Sequence, residues 1–144
     1  MRLTAISPRE ASIFACVTDT IVAPEPALPP VHETDAALFF DRWLERSPWP
    51  NRLGLRALFL VAELSPWLLG VRARLRQLPE PGRASALERV EGSKHADVRR
   101  LAHLVKGIVC LCYYGDDRVM LTLGYDAAAN ARRGQELRAR EGRP

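Results

Sequence analysis

The side chains of this 144-residue chain that could do acid–base, nucleophilic or metal chemistry are scattered histidines, cysteines and one acidic pair. His32 precedes a helix-cap position, His95 falls in a loop and His103 sits on the polar side of a helical pattern. None has a serine, cysteine or carboxylate at a spacing that local structure would bring together, so only a triad assembled across the fold is left, without positive support. Asp116 and Asp117 beside Gly115 have the chemistry of a calcium site, but two carboxylates at a helix boundary serve more often as caps. Cys110-Leu111-Cys112 lacks the two-residue gap of zinc knuckles and redox sites, and no histidine follows it as haem attachment requires. A glycine-rich phosphate loop, a nucleotide fingerprint and a His/Glu pair at helical spacing are all missing. The residues therefore assign no catalytic, cofactor-binding or metal-binding role.

The stretch that must organise the chain runs from Asp97 to Tyr125. Val98, Leu101, Ala102, Val105, Ile108, Val109 and Cys112 recur at steps of three and four, opposite Arg99, Arg100, His103 and Lys106, which predicts an amphipathic helix. From Ile108 to Tyr113 no hydrophilic position is left, so that end is expected to be surrounded by protein. Gly115 closes the helix with a left-handed residue, Asp116 or Asp117 caps a short return helix, and Gly124 ends it. Tyr113 and Tyr114 straddle the end, one expected in the core and the other at a rim.

Upstream, Ser7, Pro8 and Glu10 spell a capping box with proline at the first helical position, and Ile6 can staple onto the first turn. The helix they start carries Ile13, Phe14, Val17 and Ile21 inward and must end before the four prolines of residues 22–30. Residues 22–33 are expected to be an extended, semi-rigid connector, a strap over the bundle or a strand-like contact with a partner. Thr34 then caps a helix with Ala36, Phe39, Phe40, Trp43 and Leu44 on its apolar face, broken at Ser47-Pro48-Trp49-Pro50. A third helix from about Asn51 is apolar almost all round, which demands burial on several sides, within the domain or against another subunit. Pro66 and Gly70 bracket a short apolar turn, the alternating arginines of residues 72–77 read as turn or loop, and a modest helix over residues 81–91 points Leu87 and Val90 inward. Ser93 can cap the central helix. Residues 126–144 are expected to form a weakly anchored C-terminal helix. The whole is an all-α, compact single-domain helical bundle, residues 1–144, with a proline-rich extended connector.

Composition agrees with one soluble domain: 47% apolar, 26% charged, net charge +4 and a pI near 9.3. The arginines keep company with Glu and Asp in every segment and no reader motif accompanies them, so nucleic acid is not expected as a partner. Cys16, Cys110 and Cys112 each sit on an apolar pattern and read as small reduced core residues. The first ten residues show no export signal, and the apolar-dense stretch from Leu53 to Leu69, interrupted by Arg56, Glu63 and Pro66, is too short and polar for direct membrane insertion. A cytoplasmic protein is expected.

Two segments, SPREASIFACVTDTIVAP and LVKGIVCLCYYGDDRVMLTLGYD, resemble the gluconate 2-dehydrogenase subunit 3 family, the non-flavin companions of glucose-methanol-choline oxidoreductases. The opening helix leading to a proline strap, the Tyr113-Tyr114 pair, the acidic turn and the terminal Leu-Gly-Tyr-Asp carry the likeness, which extends from Ser7 to Asp126. It implies a helical accessory subunit without catalytic residues or a cofactor of its own, bound to a large FAD-containing oxidoreductase subunit that it stabilises or helps mature. Many relatives begin with a twin-arginine signal that this chain lacks, which favours a cytoplasmic complex. Partner-interface candidates are Trp49, Leu60, Trp67, Tyr113, Tyr114 and Tyr125. The alternatives are a stand-alone helical interaction or regulatory module and a small enzyme built around His103 or Asp116.

Overall fold

A computed structural model describes residues 3–142, and residues 1, 2, 143 and 144 lie outside the described residues. Helix α1 (Pro8–Val22) starts as its sequence dictates. The Ser7 hydroxyl accepts from the Glu10 amide, and the Glu10 carboxylate accepts from the Ser7 amide. Ile6 is buried beneath it. The helix closes at Ala23 in the left-handed conformation, and Pro24 follows. The connector turns over residues 25–28, where the Leu28 amide donates to the Glu25 carbonyl at 2.8 Å, and again as a 3-10 element, Val31–Glu33, before α2 (Ala36–Arg46).

Helix α3 (Trp49–Leu68) begins two residues earlier than the prolines suggest and runs through Pro66. Pro50 sits in the first turn, where no amide donor is needed, and Pro66 falls in the last turn, where only one ladder bond is lost. A loop with a 3-10 turn, Leu75–Gln77, leads to α4 (Glu80–Glu91), α5 (Ala96–Tyr114), α6 (Asp117–Thr122) and α7 (Ala127–Arg140). Among the described residues there is no strand. The fold is all-α.

Helices α1 and α5 form the centre, with α2, α3 and α4 packed around them. Three phenylalanines join α1, α2 and α3: Phe14 stacks on Phe40 at 4.6 Å, and Phe59 meets both at an angle, at 5.1 and 5.0 Å. Such pairs add about 0.5–1.5 kcal/mol each beyond area burial. Around them lie Ile13, Val17, Leu44, Leu75, Ile108 and Val109, all buried. Of the three cysteines, Cys112 is buried in this core and burial pushes its thiol up to about 12; Cys16 and Cys110 are only half-buried.

Two acidic residues inside the core have no counterpart in the apolar patterns. Asp41 of α2 is 1% exposed and accepts from the amides of Thr4, Ala5 and Ile6 at 3.0, 2.8 and 2.9 Å and from the Thr4 hydroxyl at 3.1 Å. Drawing Asp41 inward rotates α2, so Leu38 is buried and Phe39, expected on the apolar face, is turned to solvent. Glu63 of α3, equally buried, pairs with Arg76 at 2.9 Å and accepts from its amide at 3.3 Å, tying the 3-10 loop to α3.

Three local expectations are corrected. Ser93 does not cap α5; its hydroxyl accepts from the amide of His95, which holds the cap position two residues later, and the helix starts at Ala96. Gly115 is right-handed, and a side chain is excluded there because a Cβ would come within 2.6 Å of the Leu111 carbonyl oxygen. On α4 the fully buried residue is Ala86, with Leu87 and Val90 half-buried.

Candidate partner-binding surfaces

The end of α5 is not enclosed on all sides. Helices α1 and α2 cover one side of it, and Ile108, Val109, Cys112 and Tyr113 are buried there, while Leu111 and Tyr114 on the other side are exposed. Tyr113 is fully buried, so among the interface candidates it is corrected to a core residue. Its hydroxyl donates to the Pro29 carbonyl at 2.7 Å, and burial pushes that hydroxyl's pKa up, keeping it a neutral donor.

That bond is one part of a clasp. Tyr113 packs with Val31 and Val119 in a second small core, against Ala15, Val22 and Leu28. Asp116 caps α6 by accepting from the Arg118 amide at 2.9 Å, and its other oxygen accepts from the Asp35 amide at 2.7 Å, at the start of α2. One carboxylate thus serves two helix N-termini, where negative charge is favoured by the unpaired amides. Arg118 donates to the Glu33 carbonyl. The connector is a strap held across the bundle by the residues that follow α5. Thr34, expected to cap α2, contributes only a contact at 3.5 Å; Asp35 occupies the cap position and its amide is held by Asp116.

The other candidates lie on the surface. Trp49 is 70% exposed and Trp67 64%, at opposite ends of α3, with Leu60 between them. Leu53, Leu64 and Leu68 are exposed on the same helix. Tyr114 and Tyr125 are exposed beside Leu121 and Leu123 of the α6 region. The structure therefore groups the candidates into two surfaces, the outer face of α3 and the α5–α6 end. Sequence periodicity pointed to the apolar circumference of α3 but not to Leu111, Leu121 and Leu123, because their helices already had an apolar face assigned to the core.

Between α1, α3, α4 and α5 lies an open, mainly apolar cleft of about 520 Å³, with Leu58, Ala62, Leu87, Val98 and Val105 in its walls. The Ser65 hydroxyl beside it is buried without a partner. Neither His103 nor Asp116 lines this cleft. His103 lies 3.7 Å from Glu91, which also binds Lys106 at 3.1 Å, on an exposed surface; His32 lies beside Glu33, also exposed. Among the described residues no cluster of three or more His, Cys, Asp or Glu could hold a metal ion, and no helix is long and apolar enough to cross a membrane. Comparison with protein-family models, with curated proteins and with solved structures gives no match, so the functional reading rests on residues and geometry.

Proposed function

We propose that this chain is a non-catalytic small subunit that binds and stabilises, or helps mature, a large FAD-dependent oxidoreductase of the glucose-methanol-choline type. The observation that carries this reading is the surplus of large apolar side chains left outside: two tryptophans and four leucines on α3, with Leu111, Tyr114, Leu121, Leu123 and Tyr125 at the α5–α6 end. Contiguous apolar patches on soluble monomers rarely exceed roughly 300–600 Å², and larger ones mark surfaces that are covered in the working assembly. Aromatic residues are also the commonest interface anchors. In the acidic turn that contributes to the family likeness, Tyr113, Asp116 and Arg118 are occupied in holding the strap, which fits a structural role for that turn. In this proposal FAD belongs to the large subunit, the complex is cytoplasmic, and the large subunit sets the substrate.

The test is co-expression with the flavoprotein encoded by the adjacent reading frame. The expected result is a yellow complex of fixed stoichiometry, lost when Tyr114 and Leu121 are both changed to Asp. A chain that elutes colourless and apart from the flavoprotein would refute the reading.

A further inference from the structure

The outer face of α3 carries a row of exposed apolar side chains along its whole length. Six of its exposed apolar residues, Trp49, Leu53, Ala57, Leu60, Leu64 and Leu68, fall at steps of four, four, three, four and four residues, with Val61 and Trp67 exposed along the flanks of this row. That series reads the same from either end. Trp49 and Leu68, Leu53 and Leu64, and Ala57 and Leu60 are equidistant from the midpoint between Leu58 and Phe59. At 1.5 Å per residue the stripe is about 28 Å long. Trp67 stands beside Leu68, so each end carries a large exposed aromatic.

We infer that this stripe is the interface of a homodimer, in which α3 packs antiparallel against α3 of a second copy. A two-fold axis through the helix midpoint superimposes the stripe on itself: Ala57 faces Leu60 of the other copy, Leu53 faces Leu64, and Trp49 faces Leu68 and Trp67. A two-fold interface must be self-complementary, and a palindromic row of apolar side chains is the simplest surface that meets this condition. The small Ala57 at the crossing lets the backbones approach.

The charges of α3 fit the same arrangement. A charged residue near a two-fold axis meets its own copy, so a self-docking face must be free of unpaired charge. Helix α3 has three charged residues, and each is tied back to its own chain. Arg52 donates to the Ser47 carbonyl at 2.8 Å and to the Glu45 carbonyl. Arg56 binds Glu10 through two nitrogens, at 2.6 and 3.1 Å. Glu63 turns inward to Arg76. The stripe between them is left uncharged over its full length.

The area is sufficient. Large aromatic side chains carry about 150–250 Å² each. The exposed parts of the two tryptophans and four leucines offer on the order of 600–800 Å² per copy, close to one partner's share of a standard interface. With α3 covered in this way, the accessory-subunit reading is carried by the exposed residues of the α5–α6 end alone, which stays free for a flavoprotein.

The experiment is light scattering on the purified full-length chain across a concentration series, with Leu60→Asp as the variant and circular dichroism as the check on folding. The wild-type chain is expected at twice the monomer mass. Leu60→Asp, which places a carboxylate from each copy near the axis, is expected to keep its helical spectrum and to weaken association by more than about a hundredfold. Direction is read by crosslinking with a short bismaleimide, with the wild-type chain as control for its native cysteines. Leu53→Cys protein mixed with Leu64→Cys protein should crosslink efficiently, and either protein alone should not. A monomeric wild-type chain, a dimer indifferent to Leu60→Asp, or Leu53→Cys crosslinking to itself as well as to Leu64→Cys would each overturn the inference. If the chain alone is monomeric and Leu60→Asp loses the flavoprotein, the dimer is refuted while the accessory reading stands.

Discussion

Replacing Asp41 by Asn tests how a single buried carboxylate anchors the start of the chain. One Asp41 oxygen accepts from the amides of Ala5 and Ile6 at 2.8 and 2.9 Å, and the other accepts from the Thr4 amide at 3.0 Å and its hydroxyl at 3.1 Å. Asn keeps the shape and the first oxygen but sets an NH2 group against the Thr4 amide, donor facing donor. Hydrogen bonds to an ionised group are worth about 1.5–3 kcal/mol each, and the change converts several of them to neutral bonds while losing at least one outright, so the expected cost is about 3 kcal/mol at pH 7. Burial by itself pushes the Asp41 carboxyl up, but the amides of Thr4, Ile6 and Ala5 and the Thr4 hydroxyl outweigh it, and the carboxyl sits below the ordinary carboxylate value. A folded-state pKa that is depressed means stability fully present above the unfolded value of about 3.9 and lost as pH falls through the folded value. Urea unfolding of both proteins should therefore show a constant gap from pH 7 to about pH 5, closing below about pH 4 as the wild-type carboxyl gains its proton. A gap under about 0.5 kcal/mol at pH 7, or one that persists unchanged at pH 2.5, would show that the carboxylate is not the anchor.

Two further outcomes are expected on stability. Glu63→Ala strands the Arg76 guanidinium against the core and should cost about 3–5 kcal/mol, whereas the double change Glu63→Met with Arg76→Leu should recover most of it, measured by denaturant unfolding as a mutant cycle. Tyr113→Phe removes the bond to the Pro29 carbonyl and should cost about 1 kcal/mol. Its amide exchange should accelerate across residues 28–35 while remaining unchanged in α1, and uniform acceleration would mean that the hydroxyl does not hold the strap.

What could be read from the sequence was whatever local chemistry decides. Ser7, Pro8 and Glu10 determine the start of α1 with no reference to the rest of the fold, because cap and partner are three residues apart. Asp41 is different in kind. Its partners lie 35 to 37 residues away, and an aspartate among apolar neighbours looks like an outward-facing residue until the chain start is brought to it. The same holds for Glu63, whose position inside an apolar helix read as an interruption when it was the inward anchor of a loop. Phe39 was misplaced for this reason, since the rotation of α2 is set by where Asp41 must point. Pro50 and Pro66 were read as boundaries because proline breaks helix interiors, yet both stand within one turn of an end. Of the paired tyrosines, adjacency guarantees that they point about 100° apart, so one in and one out was legible, but which is which follows from the strap that Tyr113 must reach.

The same distinction bears on function. The Tyr-Tyr-Gly-Asp-Asp-Arg run looks chemical because it gathers two phenols, two carboxylates and a guanidinium within six residues. In the folded chain the phenol of Tyr113 holds Pro29, one carboxylate, that of Asp116, holds two helix starts, and the guanidinium of Arg118 holds the strap at Glu33. Such a motif specifies a fastening between the strap, α2 and the end of α5. In the proposed complex the exposed residues of the α5–α6 end meet the large subunit, and the clasp holds that face beside the strap it secures. Preorganisation of that kind lowers the entropy cost of docking without adding a contact, so in the proposed complex loosening the clasp by Tyr113→Phe should weaken binding of the large subunit although Tyr113 itself is buried.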